Sequence, residues 1–281
     1  MIDIAYITPT SALKTHAEQS DIHMSLAHLV LEDDDYALYY KSACQDGKFV
    51  IMDNSAFEFE QRGRGIPVDS VVKAALKINP SEICVPDILF DGPATVDSVK
   101  DFMKWIENKY PDLYESTQFM AIPQGTRSEE WLDCYHKLVE IDSIDTIGFS
   151  KLGIPEAFLG QHHEPYNCTI SRSLLAKRLF NESTTPDIFG KQCHLLGSDN
   201  AGPSELTGYI EKGYDKWIRS NDTSMPYMYG LTGNPIDEKL KRVEPIVMKK
   251  LDFSLEHSTL LNEQKQTIDH NFKIWRAINE Q

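Results

Sequence analysis

The sequence predicts a single (β/α)8 barrel of the TIM type, and three observations support this prediction. Eight short apolar runs lie between residues 2 and 218, and helical patterns of ten residues or more separate most of them. Strands that alternate with helices pair in parallel through right-handed crossovers. The length of 281 residues also suits one barrel. Eight units favour a closed barrel, and a doubly wound open sheet remains the structural alternative.

The first four strands are predicted from apolar runs that end in proline or polar residues, at residues 2–8, 23–31, 48–52 and 82–85. The run at 23–31 is the least decisive, because its length and composition fit a helix equally well. Helices are expected after the acidic stretch 32–35, whose charges complement a helix dipole, and over 68–78.

The second half of the chain repeats this alternation. Strands are predicted at 118–122, 145–147, 194–199 and 217–218, and helices at 95–110, 129–141, 171–181 and 203–212, with a polar loop around His162 and His163. Segments 237–253 and 260–278 are predicted to be amphipathic helices. The expected organisation is therefore one domain over 1–281, with a barrel core at 1–235 and C-terminal helices at 236–281 that pack on it.

The composition narrows the class of protein. A hydrophobic content of 41% and a charged content of 25% are ordinary for a globular chain. The sequence has no apolar run of membrane-spanning length and no signal-peptide pattern, which predicts a cytoplasmic protein without membrane contact. Five scattered cysteines without a C-x-x-C pair argue against a disulfide framework and a thiolate zinc site. The net charge of -15 gives no support to nucleic-acid binding.

Polar residues follow several predicted strands at the point where each strand ends, among them Asp53, Asp87, Gln124 and Asp222. Carboxyl ends of barrel strands converge, so these side chains should meet at one mouth with the Gly148 backbone. One of two neighbouring carboxylates can donate a proton while the other stays ionised as a nucleophile, as in glycosyl transfer. Each residue alone could instead serve a turn or a cap.

Five of these strand ends resemble motifs of the tRNA-guanine transglycosylases, in the same order and with similar spacing over residues 48–226. The matching stretches are Asp53-Asn54-Ser55-Ala56-Phe57 to D-S-G-G-Y/F, Pro123-Gln124-Gly125 to Q-G, Thr146-Ile147-Gly148-Phe149 to G-G-L, His194-Leu195-Leu196-Gly197 to Y-L-M-G, and Asp222-Thr223-Ser224-Met225-Pro226 to D-x-x-x-P. Each motif is weak alone, but their shared order makes the set moderately specific.

The resemblance implies a role for each matching residue. Asp222 is then the nucleophile that attacks C1′ and forms a covalent glycosyl-enzyme, and Asp53 is the general acid/base. The other residues would bind the base: Asp87, Gln124 and Gly125 at its polar edge, Gly148 through its backbone, and Phe57 and Leu196 on its two faces. No cofactor or metal is implied.

The departures from the family pattern indicate the substrate. No C-x-C-x-x-C zinc module follows Asp222, Ile147 replaces the first glycine of G-G-L, and Asn54-Ser55-Ala56 replaces Ser-Gly-Gly. A compact chain without zinc resembles the phage and bacterial relatives that insert 7-deazaguanine bases into DNA. The implied substrates are guanine in DNA, flipped out or single-stranded, and a free 7-deazaguanine base. An accessory protein or a homodimer is left open.

Three alternatives remain at this stage. One is a transglycosylase that acts on tRNA. Another is a metal-dependent hydrolase on the same barrel, with candidate ligands His28, Asp53, Asp87, His194 and Asp222, although the first strand lacks the H-x-H pair that such barrels carry. The last is a barrel without enzymatic activity that binds a nucleotide or a protein partner.

Overall fold

The computed structural model describes residues 1–56, 68–161, 164–245 and 250–280. Eight parallel strands form a nearly closed (β/α)8 barrel in the order β1-β8-β7-β6-β5-β4-β3-β2. The strands are β1 Asp3–Tyr6, β2 Ile22–Leu26, β3 Phe49–Asp53, β4 Glu82–Cys84, β5 Gln118–Ala121, β6 Thr146–Ser150, β7 Gln192–Leu196 and β8 Ile218–Thr223. Strands β1 and β2 lie side by side and complete the circle. The barrel prediction is confirmed, and the open sheet is not observed.

Helices connect the strands and surround the barrel. They are α1 Leu13–His16, α2 Ala27–Glu32, α3 Asp34–Gln45, α4 Val68–Ile78, α5 Gly92–Lys109, α6 Pro111–Ser116, α7 Ser128–Val139, α8 Gly153–Leu159, α9 Asn167–Asn181, α10 Gly202–Glu211, α11 Met225–Leu231 and α12 Asn262–Arg276. A large apolar core lies between helices and strands, and a second cluster, which includes Ala5, Met24, Ile51 and Met120, fills the barrel interior. None of the helices described here has the length and apolarity that a membrane crossing requires.

The ambiguous run at 23–31 contains both of the predicted structures. Residues Ile22–Leu26 form the wholly buried strand β2, and the chain continues directly into the helix α2. The backbone N–H of Leu26 donates to Tyr36 Oη at the point where the strand ends. A strand and a helix joined without a loop produce one continuous apolar run, which explains why the sequence pattern fitted either structure.

Strand β8 is longer than the sequence predicted, and the expectation that Asp222 follows the strand is wrong. Asp222 lies within β8, which pairs with β1 on one side and β7 on the other. The ladder with β7 contains a bulge, because Cys193 pairs with Ile218 whereas His194 pairs with Ser220. Arg219 is the extra residue. Such a bulge re-aims the side chains that follow it, and both Arg219 and Ser220 make interior contacts.

The C-terminal extension contains one of the two predicted helices. The helix expected at 260–278 is present as α12, and Gly230 of α11 lets it approach closely, since a Cβ there would lie 2.3 Å from Ile268 Cγ1. The helix expected at 237–253 is wrong for the described residues 237–245 and 250–253. Asp237 Oδ1 accepts the N–H groups of Lys239 and Leu240, which closes a turn instead. Helices α8 and α11 were not predicted.

Candidate active site

Asp53 and Asp222 lie at the same end of the barrel, where the strands terminate; this end is called the mouth below. Asp53 is the last residue of β3 and shares a strand face with Ile51, which packs in the barrel interior. The pKa of the interior Cys84 thiol is raised well above its ordinary value by burial first, and then by the negative charges of Asp53, Glu82, Asp87 and Asp222. Each of these carboxylates therefore lies close enough to Cys84 for its charge to act on the thiol.

The carboxylate of Asp222 is held through one of its oxygens. Oδ1 accepts the backbone N–H of Gly197 at 2.8 Å and lies 3.2 Å from His194 Nε2. Oδ2 makes no hydrogen bond to any residue that the structure describes, and 6% of the Asp222 surface remains exposed. Oδ1 is thus oriented by the protein, whereas Oδ2 has no hydrogen-bond partner among the described residues at the mouth.

His194 stands behind Asp222 in the barrel interior. Its ring is wholly buried, and Nδ1 lies 2.8 Å from Ser220 Oγ. Burial lowers the pKa of His194, and the hydrogen bond to Asp222 opposes this effect only in part. The imidazole is therefore neutral near pH 7. Sequence reasoning placed His194 in a family-like motif and among the possible metal ligands, but it did not predict its contact with Asp222. It missed Ser220, although Ser220 precedes Asp222 by two residues and so shares its strand face.

Asp87 and Gln124 are brought together in a buried amide–carboxylate network. Gln124 Nε2 donates to Asp87 Oδ2 at 2.6 Å, and Asn54 Nδ2 donates to Asp87 Oδ1 at 2.9 Å. Gln124 Oε1 accepts the N–H of Phe90 at 3.2 Å. The amide has room because Gly153 lacks a side chain, and a Cβ there would lie 2.7 Å from Gln124 Oε1. Sequence reasoning missed the role of Asn54.

Close packing explains why the candidate positions 125 and 148 are glycines. A Cβ on Gly148 would lie 2.8 Å from Leu196 Cδ1 and 3.0 Å from Ile122 Cγ1, so the absence of a side chain lets Leu196 cross the interior at the mouth. A Cβ on Gly125 would lie 2.6 Å from the backbone nitrogen of Trp131. Gly148 and Leu196 therefore lie together at the mouth, whereas Gly125 packs against the first turn of α7.

The loop after Asp53 has an unusual backbone. Ser55 has a φ of 61°, in the left-handed region that residues other than glycine rarely adopt. Its N–H donates to Asp53 Oδ1 at 3.1 Å, and its hydroxyl lies 2.9 Å from His28 Nδ1. This conformation connects the Asp53 carboxylate, through Ser55, to His28 in helix α2. Phe57, expected on one face of the base, lies outside the described residues.

Two cationic residues near the ends of β6 and β7 were also missed by the sequence reasoning. The buried Arg172 donates to the carbonyl oxygens of Gly197, Phe149 and Leu196 and so holds the two strand ends together. Lys151 directly follows β6, and its chain lies against Gly197. Burial lowers the pKa of Lys151, while the negative charges of nearby groups, Asp222 among them, partly offset this effect.

Other features do not point to a different site. A groove of about 900 Å³ lies on the flank of the barrel between α3 and residues 253–256, and no candidate residue named above for the transglycosylase borders it. In the ranges that the structure describes, no group of three or more His, Cys, Asp or Glu residues could hold a metal ion. Comparisons with models of protein families and with curated proteins find no match to this chain. The mouth of the barrel is therefore the candidate active site.

Proposed function

We propose that the protein is a base-exchange glycosyltransferase that replaces guanine in DNA by a 7-deazaguanine derivative through a covalent Asp222 intermediate. The observation that carries this proposal is the unequal hydrogen bonding of the two Asp222 carboxylate oxygens at the mouth. Its Oδ1 is held by Gly197 and His194, and its Oδ2 is left without a partner among the described residues. Asp53 lies at the same interior end and has different hydrogen-bond partners. Two carboxylates in unlike surroundings suit the division between nucleophile and acid/base.

The reaction proceeds in two displacements. Asp222 Oδ2 attacks C1′ of the target nucleotide, the bond from C1′ to N9 breaks, and Asp53 protonates the leaving guanine. The incoming 7-deazaguanine then attacks C1′ through N9, Asp53 removes the proton from that nitrogen, and the ester bond to Asp222 breaks. Both displacements occur at one carbon, so the configuration at C1′ is retained.

Base recognition is assigned to the network of Asp87, Gln124 and Asn54. Asp87 accepts one amide donor from Gln124 and one from Asn54, and we assign to this carboxylate the recognition of an N–H group on the guanine edge. Adenine presents different donors and acceptors there and would leave buried polar groups unpaired. Leu196, which packs against Gly148 at the mouth, is assigned to one face of the base.

The net negative charge of the protein is compatible with a nucleic-acid substrate that it contacts at only a few phosphates. A chain with a net charge of -15 is repelled by duplex DNA unless a local patch compensates. C1′ chemistry on a base requires that the nucleotide leave the stack or lie in a single strand. We therefore propose an extruded or single-stranded guanine as the form that reaches Asp222.

The proposal is tested by measuring exchange of labelled guanine into DNA and into tRNA side by side, over a series of salt concentrations. Asp222→Asn should reduce turnover by several orders of magnitude. The matched control is Asp145→Asn, because Asp145 also accepts a backbone N–H, from Phe119, but lies at the opposite end of the barrel. Withholding the incoming base should leave DNA attached to the peptide that contains Asp222.

Each alternative has its own outcome in this experiment. Exchange into tRNA alone would replace DNA as the substrate and keep the mechanism. No exchange into either nucleic acid would reject the transferase. Stoichiometric zinc or manganese in the purified protein, with hydrolysis that depends on it, would support the metal-dependent hydrolase. Ligand binding that persists unchanged in Asp222→Asn, without turnover in the wild type, would support a binding protein.

A further inference from the structure

A chain of hydrogen bonds runs through the barrel interior from an ion pair to Asp222. Arg219 Nη2 lies 2.6 Å from Glu82 Oε2, and Arg219 Nε donates to Ser220 Oγ at 3.2 Å. Ser220 Oγ lies 2.8 Å from His194 Nδ1, and His194 Nε2 lies 3.2 Å from Asp222 Oδ1. Glu82, Ser220 and His194 are wholly buried. The chain therefore connects the barrel interior to a carboxylate at its mouth.

The donors and acceptors along this chain allow one arrangement of protons. Arg219 Nε can only donate, so Ser220 Oγ accepts from it and the hydroxyl proton is available for another acceptor. His194 Nδ1 is the acceptor within reach. A neutral imidazole that accepts at Nδ1 carries its proton on Nε2, and this N–H then donates to the carboxylate of Asp222. The opposite tautomer would place two lone pairs against each other at Nε2 and Oδ1.

The hydrogen bonds link Ser220, His194 and Asp222 in the order of a Ser-His-Asp triad. The exposed end of the chain is the aspartate, however, and the serine is buried. In a serine nucleophile the hydroxyl must face the substrate. Here Ser220 is 0% exposed, and Asp222 is the member of the three that reaches the mouth. Ser220 therefore orients His194, and His194 in turn orients Asp222.

We propose that His194 and Ser220 are positioning residues, which hold Asp222 Oδ1 as an acceptor and thereby leave Oδ2 directed to the substrate. The bulge in β8 makes this arrangement available, because it gives both Arg219 and Ser220 interior contacts below Asp222. The proton arrangement is a property of the fold alone. Its kinetic consequence rests on the proposed glycosyl transfer.

The proton arrangement is tested by nitrogen NMR of the full-length protein labelled in its histidine rings. The wild type should show His194 as the neutral Nε2–H tautomer near pH 7, with its signal assigned from His194→Gln. Ser220→Ala should move the Nδ1 resonance, because it removes the hydrogen bond that Nδ1 accepts, while Asp222 keeps the proton on Nε2. A wild-type His194 that is protonated, or that carries its proton on Nδ1, would overturn the proposal, as would an unchanged Nδ1 resonance in Ser220→Ala.

The kinetic consequence is tested by the rate at which the Asp222 adduct forms in a single turnover. His194→Gln keeps an amide N–H near the position of Nε2 and should stay within a few-fold of the wild type. His194→Asn does not reach Asp222 and should lose about 10²-fold in rate with little change in KM, as expected for a misplaced reacting group. The control is His23→Gln, because His23 is equally buried but donates to Ser20 on the outer side of β2.

Equal rates for His194→Gln and His194→Asn, with the fold intact, would overturn the positioning role. The NMR measurement separates this result from a failure of the proposed function. If no nucleic acid exchanges guanine, the transferase is rejected, and the tautomer of His194 still decides whether the chain is arranged as described.

Discussion

Gln124 Nε2 donates a 2.6 Å hydrogen bond to Asp87 Oδ2, between residues that follow the neighbouring strands β5 and β4. Asn54, which follows β3, binds the other oxygen of the same carboxylate. Three consecutive strands thus contribute to one buried network at the mouth. A buried carboxylate is tolerated where donors satisfy it, and these two hydrogen bonds hold the Asp87 carboxylate in a single orientation.

Replacing Asn54 by Asp should destabilise the protein more than replacing it by Ala. Asn54→Ala removes one donor from Asp87 and should cost about 1–3 kcal/mol in the free energy of unfolding. Asn54→Asp places a second carboxylate 2.9 Å from Asp87 and also removes the donor to the Val85 carbonyl, so its cost should be larger. Urea unfolding at pH 7 measures both. An Asn54→Asp variant as stable as Asn54→Ala would contradict the network described here.

Gly148→Ala should destabilise the protein by overpacking the interior beside Leu196. The added Cβ would lie 2.8 Å from Leu196 Cδ1, and such insertions cost about 1–3 kcal/mol. Leu196→Ala in the same chain should recover part of this loss, because the two residues compete for one space. Gly208→Ala is the matched control, since a Cβ there meets nothing within 4 Å. Additive effects of Gly148→Ala and Leu196→Ala would argue against this packing.

Glu205 should make the protein less stable as the pH rises. Burial raises its pKa from 4.5 to about 7, although the nearby Arg172 opposes the shift. A raised carboxyl pKa contributes stability that is complete below about 4.5 and is lost as the pH rises through about 7. Glu205→Gln should remove up to about 3 kcal/mol of this pH dependence. The measurement is urea unfolding at pH 5 and pH 8, and an unchanged difference would contradict the assignment.

His16 should make the protein less stable as the pH falls. Its ring stacks on Phe272 of α12 with centroids 4.4 Å apart, and burial, together with the charges of His257 and Arg276, lowers its pKa from 6.5 to about 4. A lowered histidine pKa contributes stability that is complete above about 6.5 and is lost as the pH falls toward 4. His16→Phe should flatten the loss of stability between these values. Parallel pH profiles for variant and wild type would show that His16 does not titrate there.

Particular residues show how far the sequence could predict the site. Asp53 ends strand β3, and Asp87 and Gln124 follow β4 and β5, so the alternation of apolar runs was enough to predict their placement at the mouth. The position of Asp222 within β8 did not, because the polar run Arg219-Ser220-Asn221 hides a strand whose edges are both paired. Asn54, Ser55 and Arg172 gave no local signal, since their partners are distant in the sequence.

The amino-acid sequence by itself determined a parallel sheet of eight strands covered by helices, because short apolar runs separated by helical patterns leave few other ways to bury both faces of such a sheet. It favoured a closed barrel, and only the tertiary structure excluded the open sheet. It also determined which residues stand near the strand ends. The tertiary structure alone decided how those residues act together. The contact of His194 with Asp222, and the hydrogen bonds that hold Asp222 through Oδ1, depend on strand register, on a bulge and on the pairing of β7 with β8. Register is set by contacts between distant segments, which no local pattern encodes.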